Sequence, residues 1–316
     1  MTRSPRWVLV RRIATLAFIV LVVTLVTMQA RAVDWGAVVA SIQSYSIGTL
    51  LLAVACAVAS YSSYSCFDLL GRHYTGHGLP TRQVVKIAFI SYAFNLNLGA
   101  MIGGAGFRFR LYSQLGLDNA TIARVLGISF STNWLGYMVL TALLFTTQLV
   151  TAPEGWTASA EALKVSGYGL GLLVVAYVAA CVIWRNRVFT VRGVSIALPG
   201  WRMALLQVAM STINWSLIAS VIHVLLQGAP KFAHTLGALL AAAMAGAVTH
   251  VPGGLGVLET VFVTLLGDEI DTPTLLAALL TYRAIYYLVP LLIASTLFIV
   301  FEARMRSQRL RATYRT

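Results

Sequence analysis

The chain has 316 residues, 59% apolar and 10% charged, far below the roughly 25% charged share of soluble domains, so a water-soluble globular fold is excluded and the bilayer is the effective solvent. The net charge of +13 sits mainly on arginines between apolar runs, with no basic face interleaved with stacking aromatics. That pattern argues against nucleic acid and for topology signals and contacts to anionic headgroups. Cys56, Cys66 and Cys181 lie in apolar segments without a CxxC spacing, so neither a disulfide framework nor a zinc site is expected.

Residues 13–30 follow Arg11 and Arg12 as a signal peptide would, but MQARAVDW is a poor cleavage site and more spans follow, so they read as a retained first span. Residues 46–70 form the second span, with Asp68 near its inner end. Residues 84–117 are apolar but interrupted by Gly103, Gly104 and Gly106, directly followed by Arg108 and Arg110. Residues 125–150, 165–184 and 203–226 are full-length, near the roughly 20 residues that cross about 30 Å of hydrocarbon. Residues 236–266 are broken again, by Pro252, Gly253, Gly254 and Gly256, with His250 just before and Glu259 just after. Residues 274–301 complete six full spans and contain Arg283. As helices, 236–249 and 257–266 would be about 21 Å and about 15 Å long at 1.5 Å per residue, so neither arm spans alone.

Positive charge chooses between hairpins and kinked spans. With the N-terminal arginines in the cytoplasm, two re-entrant hairpins from opposite faces put the arginine clusters of residues 72–86, 185–202 and 304–315 inside. Making only one of the two regions a single crossing places an arginine cluster outside. A shift of 150 residues superimposes Gly103, Gly104 and Gly106 on Gly253, Gly254 and Gly256, and Asp118 on Asp268. Each half then holds two spans, a hairpin and a span, and an odd number of crossings turns the second half upside down. The expected fold is all-α: six transmembrane helices and two re-entrant hairpins in an inverted-topology repeat, residues 1–150 and 151–316, within one membrane domain. Such repeats commonly place a substrate site near the midplane.

A broken helix frees backbone groups that survive only inside protein or beside water. The second arm of each hairpin starts at its break, so its electropositive N-terminus points inward and suits an anion. Glu259 lies in such a first turn, and Arg283 lies about 14 Å into its span, so the two are expected at similar depth. An intramembrane arginine suggests function by default, although a static ion pair pinning the hairpin is the competing reading. Arg108 and Arg110 offer guanidinium forks to a phosphate oxygen, or snorkel to the cytoplasmic surface. His250 reads first as a satisfied interior histidine and second as a proton carrier. Asn95, Asn97, Asn133 and Asn214 suit interhelical hydrogen bonds. His73 and His77 lie in a glycine-containing loop with no third ligand in view, so no metal or other cofactor is expected.

HVPGGLGVLE (residues 250–259), YRAIYYLVP (residues 282–290) and GGAGFRFRLYSQLG (residues 103–116) resemble the lysylphosphatidylglycerol synthase transmembrane or flippase-domain family, which includes YbhN-like bacterial inner-membrane proteins. The resemblance covers nearly the whole chain. It implies a multi-pass protein of the bacterial inner membrane, whose termini the arginine clusters put in the cytoplasm, and a lipid path containing Glu259, Arg283 and Arg108, with Asp68 matching a family carboxylate less securely. The short arginine-rich ends lead to the expectation of no soluble synthase domain, unlike the members that make aminoacylated lipid.

The leading expectation is a phospholipid translocase or lipid-transport protein, not an enzyme, with an anionic or aminoacylated phospholipid as partner. An ion-coupled transporter of a small anion stays open, as does an accessory membrane module for a separate synthase or other envelope protein, alone or as an oligomer.

Overall fold

The computed structural model describes residues 20, 24, 35–150, 159–184, 188–191, 194–249 and 251–313. Helices α1 (Trp35–Gln43) and α2 (Ile47–Thr75) come first, and Ser46 caps α2 by accepting from the Thr49 amide. Then follow α3 (Thr81–Leu98), a π-helical segment (Ala100–Gly106), α4 (Phe107–Gln114) and α5 (Asn119–Thr146). After α6 (Ala160–Ile183) a short two-stranded antiparallel hairpin, β1 (Val188–Val191) and β2 (Val194–Ala197), occupies the connection within the otherwise helical membrane fold. The Tyr74 hydroxyl at the end of α2 donates to the Ala197 carbonyl and accepts from the Ala197 amide, anchoring the strands there. The remainder is α7 (Trp201–Leu225), α8 (Phe232–Thr249), a short 3₁₀ turn (Pro252–Gly254), α9 (Val257–Leu266), α10 (Thr272–Arg283), a second π segment (Ala284–Leu288) and α11 (Val289–Thr313).

Among the described residues six helices are long and apolar enough to cross a membrane: α2, α5, α6, α7, α8 and the continuous helix Thr272–Ser307. Five coincide with expected spans. The first expected span, residues 13–30, lies outside the described residues apart from Val20 and Thr24. The sixth helix is α8, whose 18 residues measure about 27 Å; it starts four residues earlier than the sequence suggested. Apolar residues cover α6 on its outside, including Val165, Leu172, Leu173 and Ile183, because in lipid an apolar exterior carries no penalty.

The centre is α2, α5 and α7, packed through small residues. A methyl on Gly136 of α5 would come within 2.4 Å of the Ser211 backbone on α7, and one on Gly71 of α2 within 2.9 Å of Val125. Close backbone approach of this kind replaces the hydrophobic drive that lipid cannot supply.

Both interrupted regions fold back on themselves. In the first, Gly99 adopts φ 82° and ψ 168°, a conformation open essentially to glycine. Beyond it Phe107 stacks on Phe94 with centroids 4.0 Å apart, where an unbroken helix would separate them by about 20 Å. The sequence had placed this tip at Gly103, Gly104 and Gly106. The reversal lies at Gly99 instead, and the GGAG run forms the start of the returning arm. Gly103 is needed there for packing: a methyl would lie 2.1 Å from the Phe94 carbonyl oxygen.

The second break does lie at its glycines: Gly253, Gly254 and Gly256 all have positive φ. From there α9 returns along α8, and His234 near the start of α8 meets Glu269 just beyond α9. The 252–254 turn packs against α3 of the first hairpin. The second break thus lies against one arm of the first hairpin, while Met101, just past the first reversal, is exposed.

Candidate functional site

The glycine break of the second hairpin exposes carbonyls to which no helix amide donates. Arg283, the last residue of α10, meets that need. Its Nη1 donates to the Gly253 carbonyl at 2.9 Å and its Nη2 to the Gly254 carbonyl at 2.8 Å. The same guanidinium grips Glu259 two-pronged, Nε to Oε1 and Nη2 to Oε2, the latter at 2.9 Å. Glu259 occupies the first turn of α9, where a carboxylate also complements the helix dipole. A π segment begins directly after Arg283; such bulges re-aim side chains and recur at functional sites. The side chains are 8% exposed for Arg283 and 20% for Glu259, so the carboxylate is the accessible partner.

A second arginine clasp lies in the first half. Arg108 is 2% exposed and Asp68 fully buried. Arg108 Nε reaches both Asp68 oxygens, at 3.1 and 3.0 Å, and Nη2 reaches Oδ1 at 2.9 Å. Its Nη1 donates to the Gly104 carbonyl, and the Tyr112 hydroxyl donates to Asp68 Oδ2. This pair ties α2 to the returning arm of the first hairpin. Removing one partner of such a buried pair would strand the other charge.

Arg110 is engaged differently. Its Nε donates to Glu302 Oε1 at 2.8 Å, and Gln114 Nε2 donates to the same oxygen. Glu302 lies 192 residues away from Arg110, and no local spacing in the sequence announces the contact. His250 lies outside the described residues.

Between the clasps runs a buried aromatic and hydroxyl network in which Asn97 and Asn214 bond between helices as expected, while no local sequence pattern marks its tyrosine hydroxyls and Ser60. The Arg108 guanidinium sits 5.9 Å from the Tyr64 ring centroid, and Tyr64 stacks on Tyr92 at 3.6 Å. The Tyr92 and Tyr286 hydroxyls are 3.0 Å apart, and Ser60 links Tyr286 to Asn214 Oδ1. Tyr282 stacks on Tyr286, and the Arg283 guanidinium lies 5.7 Å from the Tyr287 centroid. Asn97, two residues before the Gly99 reversal, donates to the Ala93 and Tyr287 carbonyls while its Oδ1 is buried with no protein partner. This network links the Arg108 clasp to the Arg283 clasp through the interior.

Comparison with known proteins places the sequence among bacterial membrane proteins. The family described as the lysylphosphatidylglycerol synthase TM region matches residues 12–294. Inner membrane protein YbhN of Escherichia coli K12 is 41% identical over 306 residues, 96% of both chains. An uncharacterised protein of a Synechocystis strain is 29% identical over 274 residues, covering 85% of this chain and 84% of its own length. A phosphatidylglycerol lysyltransferase of Staphylococcus haemolyticus is 28% identical over 228 residues, 68% of this chain but 25% of that larger protein. The match across most of the chain, reinforced by the 41% relative, shows that this protein belongs to the lysylphosphatidylglycerol synthase transmembrane-region family.

Proposed function

We propose that the chain is a non-enzymatic phospholipid translocase or carrier of the bacterial inner membrane, engaging an anionic or aminoacylated phospholipid headgroup at Glu259 and Arg283. The carrying observation is the two-pronged Glu259–Arg283 pair at the glycine break, with its carboxylate partly exposed. A guanidinium fork fits a phosphate as it fits a carboxylate. With an aminoacylated headgroup, a phosphate displacing Glu259 would leave that carboxylate free for the aminoacyl ammonium, so charges exchange partners and none is left unpaired in a low-dielectric interior; an anionic headgroup would instead join Glu259 on the Arg283 fork. Asp68 and Arg108 serve in this reading as the tie that holds the first hairpin against α2, with Arg110 anchored at Glu302. The inner-membrane name of the Escherichia coli relative and the phosphatidylglycerol activity named in the Staphylococcus relative support the location and the lipid class.

The same reading takes both fold-backs as re-entrant hairpins entering from opposite faces, within an inverted repeat and with both termini cytoplasmic. Helices α3 and α8 support the repeat: both have 18 residues and are offset by 151 positions at each end. The cap before α10 is Asp271, accepting from Thr274, as Asp118 accepts from Thr121 before α5. In element order Asp271 is therefore the counterpart of Asp118, three residues beyond the aligned Asp268.

The test is reconstitution in liposomes carrying headgroup-labelled phosphatidylglycerol, lysylphosphatidylglycerol or phosphatidylcholine, with a water-soluble anion as the control cargo. Protein-dependent movement of an anionic or aminoacylated lipid, with none of the soluble anion, is expected. Uptake of the soluble anion without lipid movement would overturn the proposal.

A further inference from the structure

A groove of about 430 Å³ lies between the end of α2 and the start of α3, next to the Asp68–Arg108 clasp and lined by Leu69, Arg72, His73, Gly76, His77 and Thr81. Helix α2 has 29 residues, about 43 Å, against about 30 Å of hydrocarbon. Arg72 and His73, in its last turn, accordingly extend to headgroup depth. Arg72 donates to Thr81 Oγ1 at 2.6 Å. No carboxylate among the described residues lies within ion-pair distance of it: Asp68, one turn earlier, is committed to Arg108. Pro80 leaves the first turn of α3 without a side-chain cap.

His77 supplies the decisive detail. Its Nδ1 accepts from the Leu79 amide at 3.4 Å, which leaves the proton of the neutral ring on Nε2. Nε2 is buried and has no protein partner. Burial, and then the nearby Arg72 charge, push its pKa below the usual histidine range against the opposing effect of Asp68, in keeping with the neutral ring that an accepting Nδ1 requires. A buried unmatched donor is costly, and here it borders a groove whose charged neighbour is a guanidinium. An acceptor carrying negative charge satisfies both groups.

The geometry points to a phosphate-binding site in this groove, formed by Arg72 and His77, that takes either the phosphodiester of an anionic lipid headgroup or free inorganic phosphate. It stands apart from the Glu259–Arg283 proposal, and the two tests share no residue.

The full chain, purified in phosphate-free detergent and labelled with nitrogen-15 histidine, is titrated with inorganic phosphate, short-chain phosphatidylglycerol and short-chain phosphatidylcholine. The His77 signal is assigned by its disappearance in His77→Phe. Phosphate or phosphatidylglycerol is expected to shift the His77 Nε2 resonance and to raise Tm. Arg72→Gln should weaken the midpoint by roughly tenfold or more, the size of one lost charge-assisted bond. A lower midpoint for phosphatidylglycerol than for both other ligands assigns the site to a lipid headgroup, and saturation by inorganic phosphate alone assigns it to the free anion. An unmoved His77 resonance in the wild-type chain, or the same midpoint in Arg72→Gln, overturns the site; the wild-type titration decides even if Arg72→Gln fails to fold, and His77→Gln replaces His77→Phe for the assignment if the latter does not fold.

Discussion

Arg283 holds Glu259 with two nitrogens and, with the same guanidinium, caps the carbonyls of Gly253 and Gly254. One side chain thus closes the break in the second hairpin and neutralises the carboxylate that follows it. Four acceptors converge on a single planar cation, and a change in any one alters the hold on the rest.

Glu259→Gln keeps an acceptor toward Arg283 and removes the charge. The fold should survive, while lipid translocation falls by roughly ten- to a hundredfold, the equivalent of a charge-assisted bond of about 1.5–3 kcal/mol. Arg283→Lys retains the charge but not the fork, and cannot serve a carboxylate and two carbonyls together. It should lose activity and also lower Tm. Liposome flip rates beside Tm in detergent check both; a fully active Glu259→Gln protein would remove the carboxylate from the mechanism.

Asp68 and Arg108 predict a different pattern, because both are buried. Arg108→Gln or Asp68→Asn alone leaves one unpaired interior charge and should destabilise by about 3–5 kcal/mol. The double variant should lose less than the sum of the singles, since it strands no charge. Denaturation midpoints of the four proteins complete the cycle, and additive losses would show that the two side chains act independently.

Much of this arrangement was legible in the sequence, and the rest was not for identifiable reasons. PGGLG announces a break because three closely spaced glycines and a proline cannot continue a helix, and Glu259 and Arg283 were expected at one depth from the 1.5 Å rise alone. GGAG resembled a break equally well, yet glycine serves two purposes there. Gly99 supplies the reversing backbone and Gly103 the close contact with Phe94, and composition does not tell these apart. Asp68 and Arg108 were each singled out, but their pairing depends on how the first hairpin packs against α2. The Tyr92–Tyr286 and Arg110–Glu302 contacts span 194 and 192 residues, and the π segments next to Arg108 and Arg283 leave no compositional trace.

The re-entrant reading makes a topological prediction. Arg82 and Asn119 flank the first hairpin, Lys231 and Asp268 the second, and all four are exposed. In a chain whose three native cysteines are replaced, Arg82→Cys and Asn119→Cys should both react with an impermeant maleimide from the cytoplasmic side. Lys231→Cys and Asp268→Cys should both react from the opposite side. Members of one pair reacting from different faces would make that hairpin a crossing.

Gly103 offers a test of the first hairpin independent of any transport assay. The methyl of Gly103→Ala would sit 2.1 Å from the Phe94 carbonyl oxygen and 2.4 Å from the Asn95 amide nitrogen, both backbone atoms that cannot swing aside as a side-chain tip would. The two arms must therefore separate, which also pulls the Gly104 carbonyl and Arg108 away from Asp68. Gly169→Ala on α6 is the matched control, because its methyl would meet nothing within 4 Å and alanine favours helix by up to about 1 kcal/mol over glycine. Gly103→Ala should yield little folded protein by detergent size-exclusion chromatography, or a Tm lowered well beyond any change in Gly169→Ala. Equal yields and Tm for the two variants would mean that α3 and its returning arm do not pack as tightly as the Phe94–Phe107 stack indicates.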